Sequence, residues 1–492
     1  MRVFGVARGF LTRDEIYNIH ECLCRVLSEV GMRIENARLL KAMKKYGYEV
    51  DFSKETVYFP KSYVEEMITE GNGTDEESEE PSLRFNAGGY PHLYMDPRTD
   101  EVKPHTFDSS LRMAKVADNL ENITSLNCIG LPSDVPLHAQ TFYMKLLSWM
   151  SSRKPYYWGE VPNVKYLPYY VELCERYCDH TGEELKTVAN IVIHKPYPLF
   201  LDRVNAEVIV AAREIGLPVG SGSGIPSIGG TAPVTLAGAL VMQLADTFSD
   251  ALMNQALSGR RLRPSFGVSL GVMDMRTGLN CACHPESLLL GLAMADMARF
   301  YGGRLTGMLS GKTQAKTLAS VQSGFERGVS MMIGVVAGVK SYGSVGLISE
   351  PDGLNSAVQL VIDDEIAAIV KRFARGFTVD EDTLAIDVIE ELGHKAFFLG
   401  HKHTVRHFRR ELWIPKIFIG GLSYQTWRQM GGETEIDKAR EKAIELWEAP
   451  PPKLLDDDCV RDLMELIKKA EKELLHTPRR RPQNHNCQSS TL

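Results

Sequence analysis

The sequence predicts an α/β protein, a TIM-like (β/α)8 barrel with helical additions at both ends, and three observations predict it. From about residue 108, short apolar segments alternate with amphipathic helical stretches seven times. Those segments are nearly continuous in apolar residues, as parallel strands are when helices cover them. The 492 residues, 44% of them hydrophobic, hold more core than an ordinary domain, which suits a barrel with additions. A doubly wound open sheet uses the same alternation and is the alternative.

Residues 14–47 read as two helices, with apolar stripes at Leu23, Val26, Leu27 and Val30 and at Leu39, Leu40 and Met43. Tyr46 to Pro60 reads as a hairpin turning at Ser53 and Lys54, followed by a short helix in KSYVEEMI. Residues 71–82 are acidic and Gly/Ser-rich, the composition of a mobile loop. Residues 84–106 read as a strand pair with turns at Gly88-Gly89 and Pro97-Arg98.

The alternation follows. Helices are predicted over 108–119, 137–151, 164–179, 203–214, 233–258, 285–300 and 315–334, each preceding a strand. The strand segments are NITSLNCIG, KPYYWGEV, TVANIVIH, PVGSGSG, PSFGVSLG, RLTGMLSG and GVKSYGSVG, and a further helix is predicted over 356–375. The eighth strand comes either from RFNAGG or from the stretch Trp413 to Ile419. Residues 379–448 return to helices and turns, and Ala449 to Leu455 break the chain before a last helix at 456–474. The expected organisation is an N-terminal part at 1–107, the barrel at 108–378 and a helical cap at 379–475. A disordered tail then runs over 476–492, with the basic run RRRPQ at Arg479 to Gln483.

A net charge of −7 argues against nucleic acid as a partner. No secretory leader is legible. The most apolar run, 328–348, is broken by Lys340 and five glycines, so no membrane span is expected. Nine cysteines with no framework spacing read as reduced thiols of a cytoplasmic protein.

In a barrel the chemistry sits at the C-terminal ends of the strands. That rule selects Trp158 and Glu160, His194, the loop up to Gly229, Gly230 and Thr231, then Asp274, and Tyr342. The Gly/Ser loop GSGSGIPSIGGTAP runs into a helix with Pro233 in its first turn and Thr231 near its cap. Its backbone N–H groups suit an anion, while a tight turn needing glycine for conformation alone explains the same residues. Tyr94, Tyr156, Tyr157, Trp158 and Tyr342 supply aromatic faces that attract a quaternary ammonium ion; any one alone reads more readily as barrel packing, and the set is more suggestive than its members. Alternation puts Tyr156 and Trp158 on one side of their strand and Tyr157 on the other. No metal is expected. Cys281, Cys283 and His284 have no partner pair of the usual zinc spacing, and His401 and His403, two apart, do not share a helix face. GxSxG, Walker A and HExxH signatures do not occur.

Several segments in a fixed order carry a resemblance. They are LSEVGMRIENARLLKAMKKYGYEVD with VYFP, LPSDVP, GGTAPVTLAGALV, DMRTG with HPES, VIDDEI, and HTVRHFRRELWIP with YQTW. Over about residues 15–448 the chain resembles the trimethylamine methyltransferase family. The resemblance implies a TIM barrel that holds a small amine and passes its methyl group to a cobalamin on a separate corrinoid protein. That corrinoid is then the partner's, with no cofactor held tightly by this chain, and self-association into a homo-oligomer is compatible with the sequence. Around residues 310–326 the family's acidic stretch is replaced by GKTQAKTLASVQSGFE, with Gln322 and Glu326 still matching. Only the twenty standard residues occur, so the chain resembles the members without pyrrolysine, which include enzymes for glycine betaine and related betaines such as proline betaine and carnitine.

The chemistry agrees. A methyl group leaving a quaternary nitrogen leaves a neutral tertiary amine, so no general acid is needed and the protein cages and orients the cation. Two other readings stand beside this one: a non-catalytic betaine-binding or corrinoid-partner protein, and a zinc-dependent thiol methyltransferase using Cys281, Cys283 and His284.

Overall fold

The computed structural model describes residues 5–475 except 69–81, 223, 225, 268–269, 282, 307–310, 350–351 and 396. Most of the acidic 71–82 stretch and all of the RRRPQ tail lie outside the described residues.

Seven short strands are paired in parallel: β1 (Arg84–Ala87), β2 (Ser125–Leu126), β3 (Ile191–His194), β4 (Val219–Gly222), β5 (Ser265–Phe266), β6 (Arg304–Leu305) and β7 (Ser341–Val345). β1 lies between β7 and β2, parallel to both. Parallel bridges Leu126–Tyr156 and Glu160–Val192 continue the run through residues 156–160 to β3, and β3 pairs with β4. β5 pairs with β6. Among the described residues no ladder joins β4 to β5 or β6 to β7, although the Gly311 N–H donates to the Gly343 carbonyl at 2.7 Å.

RFNA, one of the two candidates for the missing strand, is therefore a full member of the parallel run, and Trp413–Ile419 forms no strand. The expected strand pair over 84–106 needs correction. β1 does not pair with Leu93–Met95; that strand pairs antiparallel with Val102–Pro104 and parallel with Leu354–Ser356. The reason is the turn at Gly88 and Gly89, both at positive φ, which takes the chain out of the parallel layer.

Helices Phe107–Asp118, Gln140–Met150, Leu167–Thr181, Arg203–Glu214, Leu236–Ser258, Pro285–Phe300, Val321–Ala337 and Ala357–Arg375 separate or follow the strands. Their ends follow local capping. Thr106 and Ser109 close a capping box, Asp202 accepts from the Val204 and Asn205 N–H groups, and Ser320 accepts from Ser323 N–H. The helix expected from 315 therefore starts at Val321.

Two ion pairs among the described residues lie wholly inside, Lys195–Asp246 and Arg327–Asp363. Arg327 Nη1 is 2.7 Å from Asp363 Oδ2, which also accepts the Gly346 N–H at 2.7 Å. Arg327 further donates to the Gly311 and Leu347 carbonyls, fixing the chain around the end of β7.

N-terminally, Met32–Ile34, Glu49–Asp51 and Thr56–Tyr58 form a small sheet that Phe200–Leu201 joins. C-terminally, no described residue from 377 to 438 is buried. The chain returns to the body with helices Glu435–Glu448 and Asp457–Leu474, which bury Ala443, Trp447, Leu463 and Leu466. Among the described residues no helix is long and apolar enough to cross a membrane.

Candidate active site

Burial alternates along β3: Ile191 and Ile193 are buried, Val192 is half-buried and His194 exposed. Val192 and His194 thus stand on the face away from the apolar core. A polar row also crosses the neighbouring strands. The Ser125 hydroxyl donates to Asn86 Oδ1, and Asn86 Nδ2 donates to Ser341 Oγ at 3.0 Å, so one hydrogen-bonded chain crosses β2, β1 and β7.

At the C-terminal ends of β1, of residues 156–160 and of β3 the side chains converge. His194 Nε2 is 3.1 Å from Glu160 Oε1. The Tyr90 ring stands edge-on to His194 at 6.3 Å between centroids and tilted to Trp158 at 6.2 Å. Burial around its hydroxyl, and then the adjacent Glu160 carboxylate, push the Tyr90 phenol well above its usual range. Tyr90 as a residue is 39% exposed and Tyr157 54% exposed, so both reach the surface at the opening.

The supports are rigid. Lys195, directly after His194, is buried between Asp246 and Asp250 at 2.6 and 2.7 Å, and Asn205 Nδ2 donates to the His194 carbonyl at 2.8 Å. Buried Lys145 donates to the Trp158 and Val188 carbonyls at 3.1 and 2.8 Å and so ties residues 156–160 to the start of β3. Its pKa is lowered by burial. Gly159 permits the close approach of these two segments, since a Cβ there would lie 1.8 Å from the Asn190 carbonyl oxygen. Tyr90 is held at φ +62° by the Gly88-Gly89 turn. A Cβ at Gly88, itself at φ +119°, would lie 2.1 Å from Asn127 Oδ1, a buried oxygen without a hydrogen-bond partner.

Of the residues singled out from sequence, Glu160, His194 and Trp158 come together here. Tyr156 lies beneath them, enclosed, its hydroxyl accepting the Ile129 N–H at 3.2 Å. The Trp158 indole donates to the Thr141 carbonyl at 2.9 Å, so the ring is anchored on the same side as Tyr156. Tyr157, on the opposite side, is the exposed one.

The structure places the others elsewhere. Tyr94 stacks on Trp447 at 5.6 Å in a different sheet, 9% exposed. Tyr342 is fully buried, stacked on Phe85 at 5.1 Å, with its hydroxyl donating to Val339. It sits near the start of β7, at the opposite end of the strand from the one expected to carry the chemistry. Asp274 is clamped by Arg276 at 2.6 Å in the turn of a hairpin, which holds its carboxyl below the usual range. Gly229 and Gly230 offer no anion cradle. Their N–H groups donate to Ala232 and Ser227 carbonyls, and Thr231 Oγ1 accepts the Ser227 N–H at 2.8 Å. The following helix begins only at Leu236, with an extended Thr235 before it.

Cys281, Cys283 and His284 do not form a metal-binding group among the described residues, and the Cys283 thiol donates to the Lys312 carbonyl at 2.7 Å. Sequence reasoning missed Tyr90, Asn86, Ser125 and Ser341. The signal for Tyr90 was present in the GGY that follows RFNA, once RFNA is counted among the parallel strands.

A cavity of about 790 Å³ lies at the opposite ends of β1 and β2, beside Leu83, Thr124, Lys371, Arg372 and Arg409. Its position before the strands, away from Glu160 and His194, sets it apart from the expected chemistry. The polar face can do one thing well: a carboxylate flanked by aromatic rings attracts and orients a cation.

Residues 7–474 match the profile of the trimethylamine methyltransferase (MTTB) family. The glycine betaine methyltransferase of Desulfitobacterium hafniense is 26% identical over 484 residues, covering 95% of this chain and 98% of that protein. The trimethylamine methyltransferase MttB of Methanosarcina thermophila is also 26% identical over 484 residues, covering 93% and 97%. Among solved structures, the monomethylamine methyltransferase (MtmB) of Methanosarcina barkeri aligns over 92% of each chain with a TM-score of 0.42 and 12% identity.

Proposed function

The chain belongs to the trimethylamine methyltransferase family, and from that premise we propose that it demethylates a small quaternary amine and delivers the methyl group to a corrinoid protein. It is a methyltransferase, and methyl transfer from an amine is the activity its relatives' names carry. The observation that supports a quaternary substrate is the Glu160 carboxylate beside Tyr90 and His194 on the open polar face, with buried Trp158 behind Tyr90. Glycine betaine, proline betaine and carnitine are the substrate class.

The parallel strands, with residues 156–160 as the remaining member, are read as a closed eight-stranded barrel whose mouth is this face. The barrel body is read as starting near residue 83, ahead of β1, rather than at 108. Localisation in the cytoplasm belongs to the same reading.

When presented by its partner, the corrinoid supplies a Co(I) nucleophile that takes the methyl group. The residues present fit that arrangement, because Tyr157, His194 and Tyr90 face the opening rather than the core. Glu160 attracts the ammonium ion. Tyr90 presents a π face that accepts N-methyl groups without hydrogen bonding, and buried Trp158 backs it. The Lys195, Asn205 and Lys145 contacts hold His194 and Glu160 so that one methyl can point outward. No proton has to be delivered to a departing tertiary amine, and the cluster has no need of one.

The test is methyl transfer to free Co(I) cobalamin, followed by visible absorbance and mass spectrometry. A panel of quaternary amines is compared with trimethylamine. The expected result is turnover of a betaine, with a tertiary amine formed and trimethylamine poorly used. Equal turnover of trimethylamine overturns the choice of substrate class, and binding of betaines without any methyl transfer overturns the enzymatic reading.

A further inference from the structure

The stretch 377–438, which has no buried described residue, brings together a second set of side chains far in sequence from the polar face. His403 and His407 lie four residues apart on helix Lys402–Glu411 and share one face, with ring centroids 4.3 Å apart. Asp382, on the short helix Glu381–Leu384, places Oδ2 3.3 Å from His407 Nε2. His403 Nε2 is 3.4 Å from the Asp382 carbonyl oxygen. Ligand atoms of the three side chains all lie within 4.8 Å of one another, and among the described residues no other three His, Cys, Asp or Glu do so.

We propose that Asp382, His403 and His407 bind a divalent transition-metal ion, zinc by preference, as a structural clasp between the two helices. Two imidazoles and one carboxylate are a donor set that zinc takes readily. Tetrahedral zinc with bonds of about 2.0–2.1 Å sets its donors about 3.3 Å apart, the separation found between His407 and Asp382. The His407 Nε2 atom is shielded from solvent and makes no well-formed hydrogen bond, so it has a lone pair or a proton to satisfy. Asp382 Oδ1 is 3.3 Å from Arg406 Nη1, an exposed pair that leaves Oδ2 turned to the imidazole. The Asp382 side chain is 56% exposed, which gives an ion its entry path and lets solvent complete the coordination.

The setting gives such a clasp a task. Helices Glu381–Leu384 and Lys402–Glu411 bury no residue, so hydrophobic packing does not hold them together. Where a segment lacks a core, a metal cross-link is a usual substitute. The three residues contain no thiol, so the clasp is distinct from the cysteine site weighed from sequence.

The full-length chain, stripped by a chelator and then freed of it, is titrated with Zn2+ by calorimetry. One zinc per chain with affinity in the micromolar range or tighter is expected, with a higher unfolding temperature when zinc is bound. His407→Gln and Asp382→Asn should each weaken zinc by about a hundredfold, while Cys283→Ser changes nothing. Cobalt(II) read on the wild-type chain provides a measure independent of variant folding, and its visible bands should come without thiolate charge-transfer absorption. No saturable zinc binding, unchanged binding in a folded His407→Gln variant, or thiolate bands with cobalt each overturn the proposal.

Discussion

His194 Nε2 and Glu160 Oε1 are 3.1 Å apart across two adjacent parallel segments, although 34 residues separate them in the chain (194 − 160). The contact needs no motif. It follows from two strands ending side by side, one pinned through Lys195 and the other through Lys145.

Charge, rather than shape, is what this pair and Tyr90 should recognise. Tyr90→Leu keeps apolar bulk and removes a π face, so betaine affinity measured by calorimetry should fall about tenfold. A neutral isostere bearing a tert-butyl group should bind the variant and the parent alike. Equal weakening of both ligands would make Tyr90 a packing residue. Tyr94→Leu, which alters a contact in another sheet, should leave both affinities unchanged.

Gly88→Ala tests the turn that aims Tyr90. Its φ of +119° and the 2.1 Å approach to Asn127 Oδ1 make a methyl group costly there. A loss of about 1–3 kcal/mol in denaturant unfolding is expected, with methyl transfer reduced by more than stability alone explains at temperatures where the variant is folded. Full activity in a folded Gly88→Ala protein would separate Tyr90 from substrate binding.

Removing one partner of the Arg327–Asp363 pair strands a charge in the interior. Arg327→Met should cost about 3–5 kcal/mol in urea unfolding, and replacing both residues by apolar ones should recover part of that loss. A cost below about 1 kcal/mol would mean that water reaches Asp363.

The pH dependence of stability has an identifiable contributor. His105 is fully buried beside Asn355, and burial lowers its pKa from 6.5 to about 4. The unfolded chain therefore binds a proton between those values that the folded chain refuses. The contribution is present above about pH 6.5 and is lost as pH falls toward 4, by about 3 kcal/mol in total. Unfolding of the parent and of His105→Gln, compared from pH 7 to pH 4, should show the parent losing more. Parallel curves would exclude His105 as the cause.

Much of this was legible because helix periodicity and caps are local. The helix Arg203–Glu214 has its predicted limits, and others start about one or two turns late where an extended Thr235 or the Ser320 cap decides the boundary. β1 was ambiguous because four residues leading into a Gly-Gly turn have no helix after them to mark the repeat. Glu160 and His194 are singled out by their place at strand ends, and the structure brings the two side chains together. Tyr94 and Tyr342 pack elsewhere, because aromatic type says nothing of which face or which end of a strand a ring occupies. His407 escaped notice because its carboxylate partner lies 25 positions earlier (407 − 382), a proximity that only the turn between the helices creates.

The Glu365 carboxylate, itself buried, accepts the N–H groups of Lys416, Ile417 and Phe418 at 2.8, 3.0 and 3.2 Å. It pins the far edge of a stretch that contributes nothing to the interior. Amide protons and protease-sensitive bonds between residues 377 and 415 can therefore exchange or be cut through openings that leave the parallel strands intact. The protein then unfolds on two separate clocks: one set by Glu365 and its three amides, the other by the core.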